Sequence, residues 1–431
     1  MPSSESYLVV GGCGFLGRHI VEQLLARGET QVSVFDIVQR HFDSNVNFYI
    51  GDISKPEDVE NALTKSGATA VIHTASPAHN LGRQLYELVN VTGTRTLLDA
   101  CLPSPTVKKF VYTSSGGVIF NGDQDVVCAD ERLRYPERAL DAYNETKVAA
   151  EKMVIAANGE QLLTCAIRPA GIFGEGDRQM INAFYEVVKN NQTKFQIGYN
   201  DNLADFTYVG NVAHAHLLAV DKLGTTYPYS SFRDPLDSIE LSTGALRVPT
   251  SDAHPLGPNT SPSEASLFAA RRYESGQHDP ADLRPVLRNR MDQFNNEASL
   301  EDESSDAGYP IAGQVFFITN GEPIYFWDFT RSVWKGLGHI PPYRIILPAF
   351  LGLILATLAE AFSKFRGKEP GFTRFRVSQA INNRYYDIER ARRLLGYEPI
   401  VGLVEGMERW TSWYRGELAK QSQTVESDKT K

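Results

Sequence analysis

The sequence predicts an α/β fold, a doubly wound parallel sheet with a smaller lobe toward the C-terminal end. Three observations predict it. Short apolar runs alternate with helical stretches through the first half of the chain. The first run stops at a glycine-rich turn that opens a helix, and the second ends in an acid about 20 residues later.

The first run, Tyr7-Leu8-Val9-Val10, is apolar at every position, as expected of a strand buried on both faces. Gly11-Gly12-Cys13-Gly14-Phe15-Leu16-Gly17 follows, and Arg18 to Ala26 has helical periodicity. Read as Gly11-x-x-Gly14-x-x-Gly17, this is a phosphate-binding turn: glycine lets the backbone approach a pyrophosphate, which then sits on the helix N-terminus. Asp36 closes Val32-Ser33-Val34-Phe35. An acid there accepts hydrogen bonds from a ribose diol and repels a 2′-phosphate, which favours NAD over NADP.

The alternation continues with a strand Phe48-Tyr49-Ile50 ending at Gly51-Asp52, and a helix from about Pro56 to Lys65. A strand Ala70-Val71-Ile72-His73 ends at Thr74-Ala75-Ser76-Pro77. A helix from about Gln84 to Ala100 and a strand Phe110-Val111-Tyr112 ending at Thr113-Ser114-Ser115 come next. Ligands of such sheets bind at the carboxyl ends of the strands, where Gly11, Asp36, Asp52, Ala75 and Ser115 all fall. His73 reads as structural.

Asp141 to Lys152, DAYNETKVAAEK, carries Tyr143 and Lys147 on an expected helix. Residues four apart share a face, so phenol and ammonium can converge. A fixed cation lowers a phenol's pKa and makes Tyr143 a candidate general base, although one lysine is too little without a cofactor charge or helix dipole. Ser115, 28 positions earlier at a strand end, can donate to a substrate oxygen. Ser114 faces the other way, because consecutive strand residues alternate.

With 431 residues, 42% hydrophobic and 22% charged, the chain has the composition of a globular protein with ample core. A net charge of −9 argues against nucleic-acid binding. Cys13, Cys101, Cys128 and Cys165 are widely spaced, which fits a reducing compartment and neither a disulfide framework nor a metal site. The N-terminus shows no signal peptide. Asn144-Glu145-Thr146 matches a glycosylation sequon by chance.

Leu162 to Ile167 reads as a further strand leading into Arg168-Pro169-Ala170-Gly171-Ile172-Phe173-Gly174. These stretches resemble the extended short-chain dehydrogenases (a Rossmann fold), in their 3β-hydroxysteroid dehydrogenase branch, and there the sterol-4α-carboxylate 3-dehydrogenase (decarboxylating) group. His73-Thr-Ala-Ser-Pro77, Thr113-Ser-Ser115, Tyr143-Asn-Glu-Thr-Lys147, Ala166 to Gly174, and Gln314 to Asn320 with Glu322 to Trp327 carry the resemblance, over roughly residues 5–225 and 310–417. It implies Tyr143 as acid/base, Lys147 on the nicotinamide ribose and the phenol, and Ser115 on the substrate oxygen. It places Asp52 at the adenine and Pro169 beside the nicotinamide. The implied NAD-binding set is Gly11, Gly14, Phe15, Leu16, Gly17, Asp36, Asp52, Ile53, Thr74, Ala75, Tyr143, Lys147, Pro169 and Ile172, with no metal. Val10 departs from the family's common threonine, which removes a hydroxyl but not the backbone cradle.

The implied activity is NAD-dependent oxidation of the 3β-hydroxyl of a 4α-carboxysterol with decarboxylation, in sterol biosynthesis. A 3β-hydroxysteroid dehydrogenase/isomerase and a non-catalytic nucleotide-binding scaffold stay open as alternatives. Implied partners are a sterol, and a homodimer or a complex with other sterol C4-demethylation enzymes.

Four regions are expected: a dinucleotide-binding and catalytic core at 1–228, a low-complexity disordered insertion at 229–309, a substrate lobe at 310–417 with an apolar segment at 345–362, and a flexible tail at 418–431. The insertion ends in Glu301-Asp-Glu-Ser-Ser-Asp306. Ile345 to Ala359 has no charge for fifteen residues and is followed by Lys364, Arg366 and Lys368. A buried helix, a helix dipping into one leaflet, and a short span all remain open for it. The leaflet reading places the chain on the cytosol-facing surface of the endoplasmic reticulum or lipid droplets. Tyr385 to Leu395 resembles the family's closing helix.

Overall fold

Tyr7–Val10 (β1) is buried at every position because helices cover both sides of it. The structure, a computed structural model, describes residues 3–40, 43–78, 81–228, 272, 293, 308–366 and 372–429. Val32–Asp36 (β2), Val46–Ile50 (β3), Ala70–His73 (β4) and Lys109–Thr113 (β5) join β1 in one sheet with Leu163–Pro169 and Val315–Ile318. The seven strands are parallel, in the order Val315–Ile318, Leu163–Pro169, β5, β4, β1, β2, β3. The chain runs outward from β1 to β3 and returns with β4 on the other side of β1, so strand order reverses between β1 and β4. That crevice is where a ligand of this architecture sits.

The strands sort their side chains onto two faces by the two-residue period. Tyr7, Val9, Val34, Ile72 and Val111 pack with Leu16, Ile20 and Leu24 of Phe15–Ala26 (α1) and with Val212 and Val220 of the helix Val209–Lys222. Leu8, Val10, Phe35, Val71 and Phe110 pack with Val59 and Leu63 of Pro56–Ser66 (α2) and with Ala150 and Val154 of the helix Ala142–Ala156. Between β4 and β5 the expected single helix is three pieces: α-helical at Arg83–Tyr86, π-helical at Glu87–Gly93, and α-helical again at Thr94–Cys101.

The second lobe departs from the expected boundary at 310. Val315–Ile318 is an edge strand of the central sheet, while residues well before 310 build the lobe. Gly171–Phe173 pairs with Phe206–Tyr208, and Leu203–Ala204 lies between Ile324–Tyr325 and Arg384–Tyr386. Arg384–Tyr386 in turn pairs with Val126–Ala129.

Most of the stretch 229–309, read from sequence as an insertion, lies outside the described residues. Its flanks meet: Thr226–Tyr227 pairs antiparallel with Tyr309–Pro310. One described residue within it makes side-chain contacts with the rest of the protein. Gln293 is buried, donates to Glu131 Oε2 (3.0 Å), and accepts from Arg390 Nε (3.1 Å) and Nη2 (2.6 Å).

The apolar segment is also divided. Ile345–Leu347 is a strand paired in parallel with Phe195–Ile197, and Pro348 separates it from the helix Ala349–Arg366. Proline disfavours a helical residue before it, so one helix cannot run through. The buried-helix reading fails. Gly352 and Ala356 face the lobe, while Phe350, Leu351, Ile354, Leu355, Leu358 and Phe362 are exposed. No described helix is long and apolar enough to cross a membrane. Lys368 and the side chains of Lys364 and Arg366 lie outside the described residues.

The closing helix is Leu403–Lys429, and not 385–395, where a strand, Arg384–Tyr386, and a π-helical turn, Ala391–Leu395, stand instead. Its buried stripe, Leu403, Met407, Trp410 and Tyr414, recurs at helical spacing. The backbone stays helical through 418–429, where the composition suggests a frayed tail; no proline interrupts it.

Candidate active site

Glycine is required where the chain turns from β1 into α1. Gly11 has φ +80°, and a Cβ there would lie 2.7 Å from the Ala75 backbone at the end of β4. A Cβ on Gly17 would strike the Gly11 carbonyl and sit 2.7 Å from Gly12 Cα. Gly14 stands at the N-cap of α1 without a side-chain cap, and α1 has no acid in its first turn. The helix therefore presents open N–H groups and its positive end at the crevice, an arrangement that suits a pyrophosphate. Gly12, outside the sequence triplet, is needed for another reason: a Cβ there would be 2.6 Å from a Val34 methyl.

Asp36, at the end of β2, accepts the Cys13 N–H on Oδ2 (2.9 Å), which ties the acid to the glycine turn. Its other oxygen has only a long contact, 3.5 Å, with the Val38 N–H. Asp52 accepts from the N–H and hydroxyl of Ser54 (2.9 and 2.8 Å), and the first of these chiefly holds its pKa below the usual carboxylate value. Thr74 donates its hydroxyl to the Val10 carbonyl (2.9 Å) beside Ala75. Leu16 and Ile53 bury their side chains in the core, and Phe15 stands edge-on to His19. Pro169 ends a sheet strand, and Ile172 lies in the short strand just after it. The predicted cofactor residues thus gather at the carboxyl ends of the strands, and the glycine cradle fits a dinucleotide.

The catalytic candidates come from β5 and the helix after it. Asp141 caps Ala142–Ala156 by accepting the Asn144 N–H (2.8 Å), which starts the helix one residue before Tyr143. Ser115 is extended, and its Oγ accepts the Gly117 N–H (3.0 Å). Ser114 is buried, and its Oγ has no hydrogen-bond partner among the described residues. Lys147 is buried; its Nζ donates to the Thr113 carbonyl (2.8 Å) and stands 6.0 Å from the centre of the Tyr143 ring. Burial brings its pKa down to about 7, against an upward pull from Glu151.

One expectation is corrected here. The protein's own groups do not lower the phenol's pKa but raise it well above the ordinary tyrosine value, through burial first and then Asp141 and Tyr86. Hydrogen bonds from Ser76 and Ser115 oppose this. The lysine, 6.0 Å from the ring centre and itself reluctantly charged, does not reverse it. His73 is structural, as read: burial drives its pKa down to about 3.

Three residues escaped the sequence reading. Ser76, after β4, donates to Asn90 Oδ1 (3.0 Å); strand-end hydroxyls are too common for sequence to single one out. Asn90 stands behind Ser76 in the π-helical turn. Tyr386, from the C-terminal lobe, donates its hydroxyl to the Gly116 carbonyl (3.1 Å) and stacks on Phe317, which braces the turn carrying Ser115.

Solved structures share this architecture. UDP-glucose 4-epimerase of Thermus thermophilus, in complex with NAD, aligns at TM-score 0.58 with 20% identity, over 95% of this chain and 99% of its own. The Bordetella bronchiseptica enzyme WbmH with NAD+ aligns at TM-score 0.59 with 15% identity, over 95% and 98%. At these identities the likeness establishes the fold. By sequence, the chain is 39% identical to sterol-4-alpha-carboxylate 3-dehydrogenase, decarboxylating, of Schizosaccharomyces pombe, over 95% of this chain and 97% of that protein. It is 38% identical to the Saccharomyces cerevisiae enzyme of that name, over 96% and 99%. The Homo sapiens enzyme is 33% identical over 94% and 87%. Residues 8–233 and 298–349 match one family, and the chain belongs to it: the 3-beta hydroxysteroid dehydrogenase/isomerase family.

Proposed function

We propose that the chain oxidises the 3β-hydroxyl of a sterol bearing a 4α-carboxylate, with NAD as cofactor, and that the resulting 3-keto acid loses carbon dioxide. The observation that carries this is the convergence of Ser115, Tyr143 and Lys147 beside the glycine cradle. The names of relatives matched along nearly their whole length support the substrate class.

The geometry divides the work. Gly11, Gly14 and Gly17 let the backbone meet the pyrophosphate, and Asp36 meets the ribose diol. NAD, when bound, would supply the hydride acceptor and a positive charge to the site. Ser115 holds the substrate oxygen, and Tyr143 takes the hydroxyl proton as the carbon–hydrogen bond at C3 gives up its hydride. Lys147, anchored on Thr113, favours the ionised phenol. In the product the carboxylate is β to the ketone. Its C–C bond electrons move into the carbonyl to form an enolate, carbon dioxide departs, and the enolate takes up a proton. This chemistry needs no metal, and the described residues form no metal-ligand cluster.

Measuring NADH and carbon dioxide together on a 4α-carboxysterol and on a plain 3β-hydroxysteroid tests the reading. Both products are expected from the first substrate in equal amounts. NADH without carbon dioxide, or a preference for the plain steroid, would contradict it.

We further propose that the exposed face of Ala349–Arg366 rests on a lipid surface, that of the endoplasmic reticulum or a lipid droplet, facing the cytosol. A sterol is nearly insoluble and must be collected from such a surface. Phe350 (63% exposed), Ile354 (52%), Leu358 (61%) and Phe362 (58%) form an apolar stripe on the lobe, adjoined by the exposed Ile345 and Ile346. Contiguous apolar surface of this kind marks an interaction site.

A further inference from the structure

A single peptide unit lies between the C-terminal lobe and Ser115. The Gly116 carbonyl and the Gly117 N–H both belong to it, and a peptide unit is rigid and planar, so neither group can turn without the other. Tyr386 donates its hydroxyl to that carbonyl (3.1 Å), and that N–H donates to Ser115 Oγ (3.0 Å). The direction is fixed at each link, because a carbonyl only accepts and an amide N–H only donates. Ser115 Oγ is therefore the acceptor here and keeps its own hydrogen for a substrate oxygen. Each donor in such a chain polarises the next, so the Tyr386 hydroxyl strengthens the Ser115 O–H as a donor as well as fixing its aim.

The fit around this peptide is close on both sides. A Cβ on Gly116 would lie 2.9 Å from Tyr386 Oη, and one on Gly117 would overlap Asn144 Oδ1, on the helix that carries Tyr143. Tyr386 is itself held twice: its N–H donates to Asp205 Oδ2 (2.8 Å), and its ring stacks on Phe317 with centroids 4.5 Å apart and planes 15° apart. Burial pushes its pKa up to about 12, so the hydroxyl stays a donor at neutral pH.

We propose that Tyr386 is a positioning residue that acts on Ser115 through the Gly116–Gly117 peptide, so that the C-terminal lobe sets how well Ser115 holds the substrate oxygen in the transition state. The inference rests on the proposed function and adds to its machinery a residue 270 positions from Gly116 in the chain. Tyr386 moves no proton in this scheme, because its hydrogen stays on a main-chain carbonyl.

The test is a double-substitution cycle on Ser115→Ala and Tyr386→Phe. The single-turnover rate of NADH formation on a 4α-carboxysterol is read for all four proteins, with NAD affinity and thermal unfolding measured alongside. Phenylalanine keeps the stacked ring and removes only the hydroxyl. Tyr386→Phe should lower the rate about tenfold, the effect of a misaimed donor, with NAD affinity within about twofold of wild type. Ser115→Ala should lower the rate ~10²-fold. In the Ser115→Ala background, Tyr386→Phe should cost less than about twofold more, because the group it aims is gone. A Tyr386→Phe rate within about twofold of wild type would overturn the inference. So would a loss that multiplies in full onto that of Ser115→Ala, since that is the mark of a general loosening of the fold. A wild type that oxidises no 4α-carboxysterol contradicts the proposed function itself, whereas an active wild type with either of those results contradicts only this inference.

Discussion

Replacing Leu351, Ile354 and Leu358 together by Asp should detach the protein from lipid without unfolding it. Phe350, Leu351, Ile354, Leu355, Leu358 and Phe362 are each between 38% and 63% exposed. Six half-exposed large side chains amount to about three whole ones, worth about 5–9 kcal/mol if fully buried in lipid, at ~1.5–3 kcal/mol each. Part of that is lost to immobilising the protein on the surface, which leaves reversible binding. The triple substitution removes about half of the apolar gain and places three carboxylates against the acyl boundary, enough to abolish binding. Folding should suffer little. The three residues point away from the core side occupied by Gly352 and Ala356, and exposed substitutions cost about 0.5 kcal/mol each, plus a similar helix-propensity penalty for Asp. Flotation with neutral phosphatidylcholine vesicles reads the binding, and thermal unfolding reads the fold. Wild type should float and the triple variant should not, at closely similar melting temperatures. A wild type that stays unbound at every lipid concentration, or a variant that floats equally well, would refute the reasoning. A wild-type dimer that the triple variant dissociates, with no flotation by either, would make the stripe a contact between two copies.

Three further outcomes are expected. Asp36→Ala should erode the preference for NAD over NADP, measured as the ratio of kcat/KM values, because repulsion of the 2′-phosphate is lost; equal efficiency with both cofactors in the unmutated protein would rule the preference out. His216, which donates from Nδ1 to the Val212 carbonyl and accepts the Thr113 hydroxyl on Nε2, has its pKa brought down to about 4 by burial. The unfolded chain takes up a proton there below about pH 6.5 while the folded one does not, so the contribution of His216 is full above that pH and is lost toward pH 4. The unfolding free energy of wild type relative to His216→Gln should therefore fall by about 1.4 kcal/mol per pH unit across that window, as read by urea denaturation. Gln293→Ala should cost about 1–3 kcal/mol by the same measurement, because Arg390 Nε and Nη2 lose the amide oxygen they share in a buried setting.

The nucleotide half of the fold was legible because its sequence signals are local. A buried parallel strand is expected to be apolar throughout, as Tyr7–Val10 is, and a turn as tight as Gly11–Gly17 demands glycine at Gly11, Gly12 and Gly17. The lobe was less legible because its strands are two or three residues long and pair across distant parts of the chain. Leu203–Ala204 has no period to read, and Ile345–Leu347 hides in an apolar run whose only break is Pro348. Within the site, Tyr143 and Lys147 announced themselves by helical spacing, whereas Ser76 and Asn90 are joined only by the fold. The balance of charges at Tyr143 was not readable at all. Burial, Asp141 and Tyr86 decide it, and none of them follows from a Tyr-x-x-x-Lys spacing. Gln293 was missed for a related reason: one polar residue in a polar stretch carries no sign that Glu131 and Arg390 wait for it.

The most direct test of the account is Tyr143→Phe, which removes the proton-transferring oxygen and leaves the ring against Tyr86. Turnover of a 4α-carboxysterol, followed as NADH, should fall ~10²–10⁴-fold while the dissociation constant for NAD stays within about twofold of wild type. Retention of more than about a tenth of wild-type turnover would contradict the assignment of Tyr143 as the acid/base, and with it the central claim.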